Sequence, residues 1–97
     1  MDRLPSKQDL ALIDPEGHFR TRLLEDGITI ERYRDAGQFS ELESIVHRLA
    51  GAAGTFGYAE VGVIAIALDD GFVAARQSGA APPDVTPLLD ALSRALL

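Results

Sequence analysis

The stretch His47-Arg48-Leu49-Ala50-Gly51-Ala52-Ala53-Gly54-Thr55-Phe56-Gly57 holds the one histidine whose surroundings suggest chemistry. An imidazole with its ordinary pKa of about 6.5 is largely neutral at pH 7 and offers a nucleophilic ring nitrogen. The glycines around it need a reason, because glycine in a helix interior costs about 1 kcal/mol relative to alanine. On a helical wheel of roughly 100° per residue, Phe39, Leu42, Ile45, Val46, Leu49, Ala53 and Phe56 gather on one face, the expected core face. His47 falls well off it. Its helical neighbours on the outer side are Glu43, Ser44, Ala50 and Gly51, with Gly54 a turn further on. Glycines there lower helix stability and leave a flat surface beside a protruding imidazole. Such a patch suits close approach by another protein's active site. Set against this is the ordinary case, a solvated surface histidine on a Gly/Ala-rich helix that packs within its own domain.

Other candidate residues carry less. His18 falls in the first turn of its helix, where a cation is disfavoured, and reads as a solvated neutral side chain. Asp69-Asp70-Gly71 lacks the D-x-[DN]-x-[DN]-G spacing of a calcium loop and reads as polar residues on or near an exposed helix face. There is no G-x-x-x-x-G-K-[ST] loop, so nothing supports P-loop nucleotide binding. Two histidines without cysteine make no zinc site, and no metal ligand set is expected.

The elements that must position His47 follow from apolar periodicity. Met1 to Lys7 is expected to fray, and Ser6 with Asp9, ahead of Leu10, Leu12 and Ile13, suggests a short N-terminal helix. Asp14-Pro15-Glu16 predicts the start of a helix running to about Arg34. Phe19, Leu23 and Ile30 form one apolar edge of it, and Leu24 and Ile28 form another. Gly37 supplies its left-handed stop. Ser40 and Glu43 have capping-box spacing, and the helix they open extends to about Phe56, with Gly57 as its break. Next, about Ala59 to Gln77, comes a helix with Val61, Ile64, Ala65, Leu68, Phe72 and Ala75 on one stripe. Val63, Ile66 and Val73 lie off that stripe. Either they pack on a terminal helix, or some form an apolar docking surface beside His47. A loop around Pro82-Pro83 precedes a last helix capped by Asp84, with Val85, Leu88, Leu89, Leu92 and Leu96 on one face. The expected architecture is all-α: an antiparallel, up-down four-helix bundle with a short extra N-terminal helix, one domain over 1–97.

Composition narrows the partners. Of 97 residues, 46% are hydrophobic and 25% charged, as in a globular domain. Fifteen acids against nine bases give a net charge of −6, and no basic stripe is present to displace phosphate counterions. Nucleic acid and membrane surfaces are therefore not expected as partners. The absence of cysteine excludes disulfides and thiolate chemistry. No apolar run is long enough to span a bilayer, and the first residues are too polar for a signal peptide, so a cytoplasmic protein is expected.

His47-Arg48-Leu49-Ala50-Gly51, followed by Phe56-Gly57, resembles the H-x-L-K-G-x-x-x-x-[apolar]-G signature of histidine-containing phosphotransfer (HPt) domains, and the pattern from about Pro15 to Leu97 is similar to that family's bundle. The resemblance implies a two-component phosphorelay. His47 would be the phosphoacceptor, passing a phosphoryl group between receiver-domain aspartates or from a sensor histidine kinase to a receiver. Such a protein is a phosphocarrier without kinase activity of its own. It needs no cofactor, since the magnesium belongs to the receiver. Arg48, Ala50, Gly51, Gly54, Val63 and Ile66 would form the docking surface, and a monomer is expected. One position departs from the signature. The family's Lys three residues after the His is Ala50 here, which implies weaker stabilisation of phosphohistidine or greater reliance on the receiver. Ala50 also keeps open a receiver-binding adaptor or inhibitor that transfers nothing. A third reading is a plain bundle that dimerises through surplus apolar surface.

Overall fold

A computed structural model describes residues 14–97. The expected N-terminal helix and frayed start lie outside these residues. Among the described residues there are four helices and no strand: α1 (His18–Asp35), α2 (Phe39–Ala52), α3 (Ala59–Ser78) and α4 (Thr86–Leu96). Each helix packs on its neighbour in the chain, and α4 closes back on α1. The α2–α3 contact is by far the most extensive. The β-branched residues at the start of α3 stay helical, because Val61 and Ala65 extend their stripe to Phe72 at helical spacing.

The core is the sum of the four apolar stripes. Leu23 and Ile30 come from α1, Leu42, Val46 and Leu49 from α2, Val61, Ala65 and Phe72 from α3, and Leu88, Ala91 and Leu92 from α4, all buried. Phe19 stacks on Phe56 with ring centroids 4.3 Å apart and also meets Tyr58 at 5.8 Å. These aromatics tie the α2–α3 turn to the start of α1 and so fix the end of the helix that carries His47.

Glycine stops operate as expected at Gly37 and Gly57, both with positive φ. At the second, Tyr58 N–H donates to Ala53 O and Gly57 N–H to Gly54 O, the paired bonds that close a helix on a left-handed residue. The regular helix is nonetheless shorter than expected. It ends at Ala52, and residues 53–57 complete the path as turns.

Three local expectations are corrected. At the start of α1 a turn closed by Gly17 N–H on Asp14 O intervenes, so helix begins at His18 and Pro15 lies ahead of it. Asp14 still caps, its carboxylate accepting from Phe19 N–H and Arg20 N–H at 3.3 and 3.1 Å. The Ser40–Glu43 capping box does not form: α2 starts at Phe39 without a side-chain cap. Glu43 reaches across to Arg76 instead, because a charge-assisted fork is worth more than a neutral cap bond. Phe39, placed on the core face by the wheel, is 44% exposed, since the core side of α2 begins one turn later at Leu42. The second apolar edge of α1, Leu24 and Ile28, is exposed and borders a groove shared with Leu89, Leu92 and Leu96 of α4.

Candidate functional site

His47 projects from the middle of α2 with 77% of its side chain exposed. The flatness around it is literal: a Cβ built on Gly51 or Gly54 meets nothing within 4 Å. Ala50 is half-buried against the core and adds only a methyl to the surface. The close-packed glycine is a different one, Gly62 of α3, which abuts the backbone of Gly54.

On its α3 side the imidazole has a partner. His47 Nδ1 lies 3.0 Å from Asp69 Oδ2. The Asp69 side chain is only 19% exposed, so its carboxylate is held in place by the helix packing around it. Asp69, expected only as a polar residue on or near an exposed helix face, belongs to the site. An ionised carboxylate accepts only, so a neutral ring making this contact carries its proton on Nδ1 and its lone pair on Nε2. Nε2 has no protein partner among the described residues.

One turn back on α2, Glu43 takes the Arg76 guanidinium in a fork. Nε donates to both carboxylate oxygens at 2.9 and 3.1 Å, and Nη2 donates to Oε2 at 2.9 Å. Those hydrogen bonds, then the Glu43 charge, hold Arg76 above its already high ordinary pKa, with the Asp69 charge adding to the effect. His47, Glu43, Asp69, Val73 and Arg76 together line a shallow groove between α2 and α3.

The remaining predicted residues divide. Val63 and Ile66 are 67% and 50% exposed and share the outer side of α3 with Asp69 and Val73, so they pack on neither α4 nor any other described helix. Arg48 is turned to the opposite flank of α2. Its Nη2 donates to Asp26 Oδ1 of α1 at 2.7 Å, which supplies the counter-charge of a carboxylate side chain only 9% exposed. His18 is highly exposed beside Glu16 and apart from the site. Among the described residues no group of three or more His, Asp or Glu is placed to hold a metal ion, and no helix is long and apolar enough to cross a membrane.

An all-helical fold of four helices is compatible with the family that the chain matches. The family model of the Hpt domain matches residues 17–96, and the chain belongs to that family. Hpt domains are phosphocarriers of two-component phosphorelays and interact with receiver domains and kinases. No curated protein and no solved structure matches the chain.

Proposed function

We propose that His47 is the phosphoacceptor of this domain and carries a phosphoryl group between receiver-domain aspartates, or from a kinase to a receiver. The observation that carries this is the contact of His47 Nδ1 with Asp69 on an otherwise open helix face. It sets the tautomer and leaves Nε2 as the nucleophile. In the transfer, the Nε2 lone pair forms the N–P bond as the receiver's aspartyl O–P bond breaks, and the electron pair leaves with the carboxylate. The ring keeps its Nδ1 proton and becomes cationic, and Asp69 balances that charge. The reverse step restores the neutral ring. Magnesium and the acidic pocket come with the receiver, and this chain supplies position.

The frame for this is one domain with antiparallel, up-down helices. Support comes from the order of contacts: from Glu43 through His47 on α2 to Gly54 just past its end, the partners on α3 run backwards from Arg76 through Asp69 to Gly62. The flat run at Ala50, Gly51 and Gly54 gives a receiver clearance. Val63 and Ile66 give it an apolar surface on the adjacent helix.

Ala50 favours a second reading, an adaptor that binds receivers without transfer. One experiment separates the two. The protein is incubated with radiolabelled phospho-receivers from the same organism, beside His47→Gln. Acid-labile, base-stable label on the wild type alone is the result expected. Binding without label across the receivers would replace the carrier with the adaptor.

A further inference from the structure

The groove beside His47 has an electrostatic problem that the unphosphorylated protein does not face. A phosphoryl group on Nε2 brings about −2 charges at pH 7. It arrives between two carboxylates, Glu43 one turn away on the same helix and Asp69 on the facing one. The chain as a whole is already at −6. On α2, the helical neighbours of His47 include no cation on its side, and Arg48 is engaged with Asp26 on the other flank. Among the described residues lining the groove, the one cation is Arg76.

Arg76 is built to reach into that space. Glu43 occupies its Nε and one bond of Nη2, while Nη1 has no protein acceptor among the described residues. The guanidinium is well exposed, whereas Glu43 is only 18% exposed and so anchored. The planar fork offers five N–H donors, enough to hold a carboxylate on one edge and phosphoryl oxygens on another. We propose that Arg76, oriented by Glu43, is the cation that contacts the phosphoryl group on His47 and stabilises the phosphorylated state. This rests on the phosphocarrier reading above, and it assigns the counter-charge to α3 rather than to the helix of the histidine.

The test uses the intact chain phosphorylated with phosphoramidate, a small N–P donor, and followed by phosphorus NMR. Wild type is compared with His47→Gln, Arg76→Ala, Arg76→Lys and Glu43→Gln. The expected wild-type spectrum has an N–P resonance that His47→Gln lacks. Arg76→Ala is expected to shorten the life of that species by roughly 2- to 5-fold, the range of an exposed ion pair, and to raise the pH at which the phosphoryl group titrates. Arg76→Lys should recover part of both. Glu43→Gln keeps an acceptor for Arg76 and removes a negative charge from the groove, so the phosphorylated species should last as long as in wild type or longer. A wild-type resonance whose lifetime and titration are unchanged in Arg76→Ala overturns the role of Arg76 alone. A lifetime shortened equally by Glu43→Gln also overturns it, because then the pair only braces α2 against α3. Absence of any His47-dependent resonance in wild type overturns the phosphocarrier reading and this inference with it.

Discussion

Gly62 of α3 faces the backbone of Gly54 so closely that a Cβ on Gly62 would stand 3.1 Å from the Gly54 nitrogen and 3.5 Å from its Cα. The turn that follows α2 therefore meets α3 through glycine. Gly54 and Gly51 themselves have open space on their own Cβ side. The glycines beside His47 thus serve different purposes, one set keeping a surface bare and Gly62 allowing close approach.

The stabilities should separate accordingly. Gly62→Ala forces a backbone, not a flexible side chain, to yield, and is expected to cost about 1–3 kcal/mol. Gly51→Ala lies in regular helix and should stabilise by about 0.5–1 kcal/mol. Thermal unfolding measures both, since about 1 kcal/mol moves the midpoint by roughly 4–8 °C in a domain this size. A larger side chain, Gly51→Gln, should keep that stability and slow transfer from a phospho-receiver. Unimpaired transfer by Gly51→Gln would remove clearance as the reason for the glycine.

Asp69 is expected to matter for the ring rather than for folding. Asp69→Ala removes the acceptor at His47 Nδ1, and a hydrogen bond of net value about 0.5–1.5 kcal/mol corresponds to roughly a 2- to 10-fold loss in transfer rate. Asp69→Asn keeps an acceptor but not the charge that balances the phosphorylated ring, so it should fall between. Nitrogen NMR of the imidazole gives an independent readout, because the share of the Nδ1–H tautomer should drop in Asp69→Ala. An unchanged tautomer and rate would make the contact incidental.

Much of this arrangement was legible along the chain, and the two exceptions at the site share a cause. Apolar residues at helical spacing located all four helices, Gly37 and Gly57 marked their stops, and the wheel put His47 outside. These are properties of one segment at a time. Asp69 was missed because its role depends on the register of α3 against α2. The signal was present: His47 and Asp69 are equally far in sequence from Tyr58, at the turn between the helices, so a tight reversal there brings them level. Glu43 was misread for the same reason. Its local capping partner was visible, but Arg76, far along the chain, was not. The exposure of Phe39 had a local cause instead, since the first residue of a helix has fewer neighbours to cover it.

The Arg48–Asp26 pair yields a prediction about stability. Asp26 Oδ1 accepts from Arg48, while the buried Oδ2 has no partner. Arg48→Ala would leave a buried carboxylate uncompensated, at a cost of about 1–3 kcal/mol, toward the lower end because water can enter where the half-exposed arginine stood. Replacing both, Asp26→Leu with Arg48→Ala, removes the polar burden and should recover most of the loss. A double variant no better than Arg48→Ala alone would show that the arginine acts through packing of its stem rather than through charge. Either outcome bears on the docking surface, because only an Arg48 free of Asp26 has its charge available to a partner.

Asp84 gives the clearest dependence on pH. Its Oδ1 accepts from Thr86 N–H at 2.9 Å and from Thr86 Oγ1–H at 2.7 Å, just ahead of α4. Those bonds, the backbone one first, favour the ionised form and hold the carboxyl below its ordinary value, with the Arg34 charge assisting. A group whose folded pKa is depressed stabilises the fold above its unfolded pKa, about 3.9 for Asp. That contribution fades as pH falls through the lower folded value. Asp84→Ala should therefore unfold at a lower temperature than wild type at pH 7, by an amount that stays level down to about pH 5. Below about pH 4 the two midpoints should converge. Asp84→Asn, which keeps the acceptor without the charge, should lie between them at pH 7 and show a flatter approach to wild type in acid. A gap between wild type and Asp84→Ala that persists unchanged into acid would mean that side-chain shape, not the carboxylate, sets the entry into α4, the helix that closes the bundle against α1.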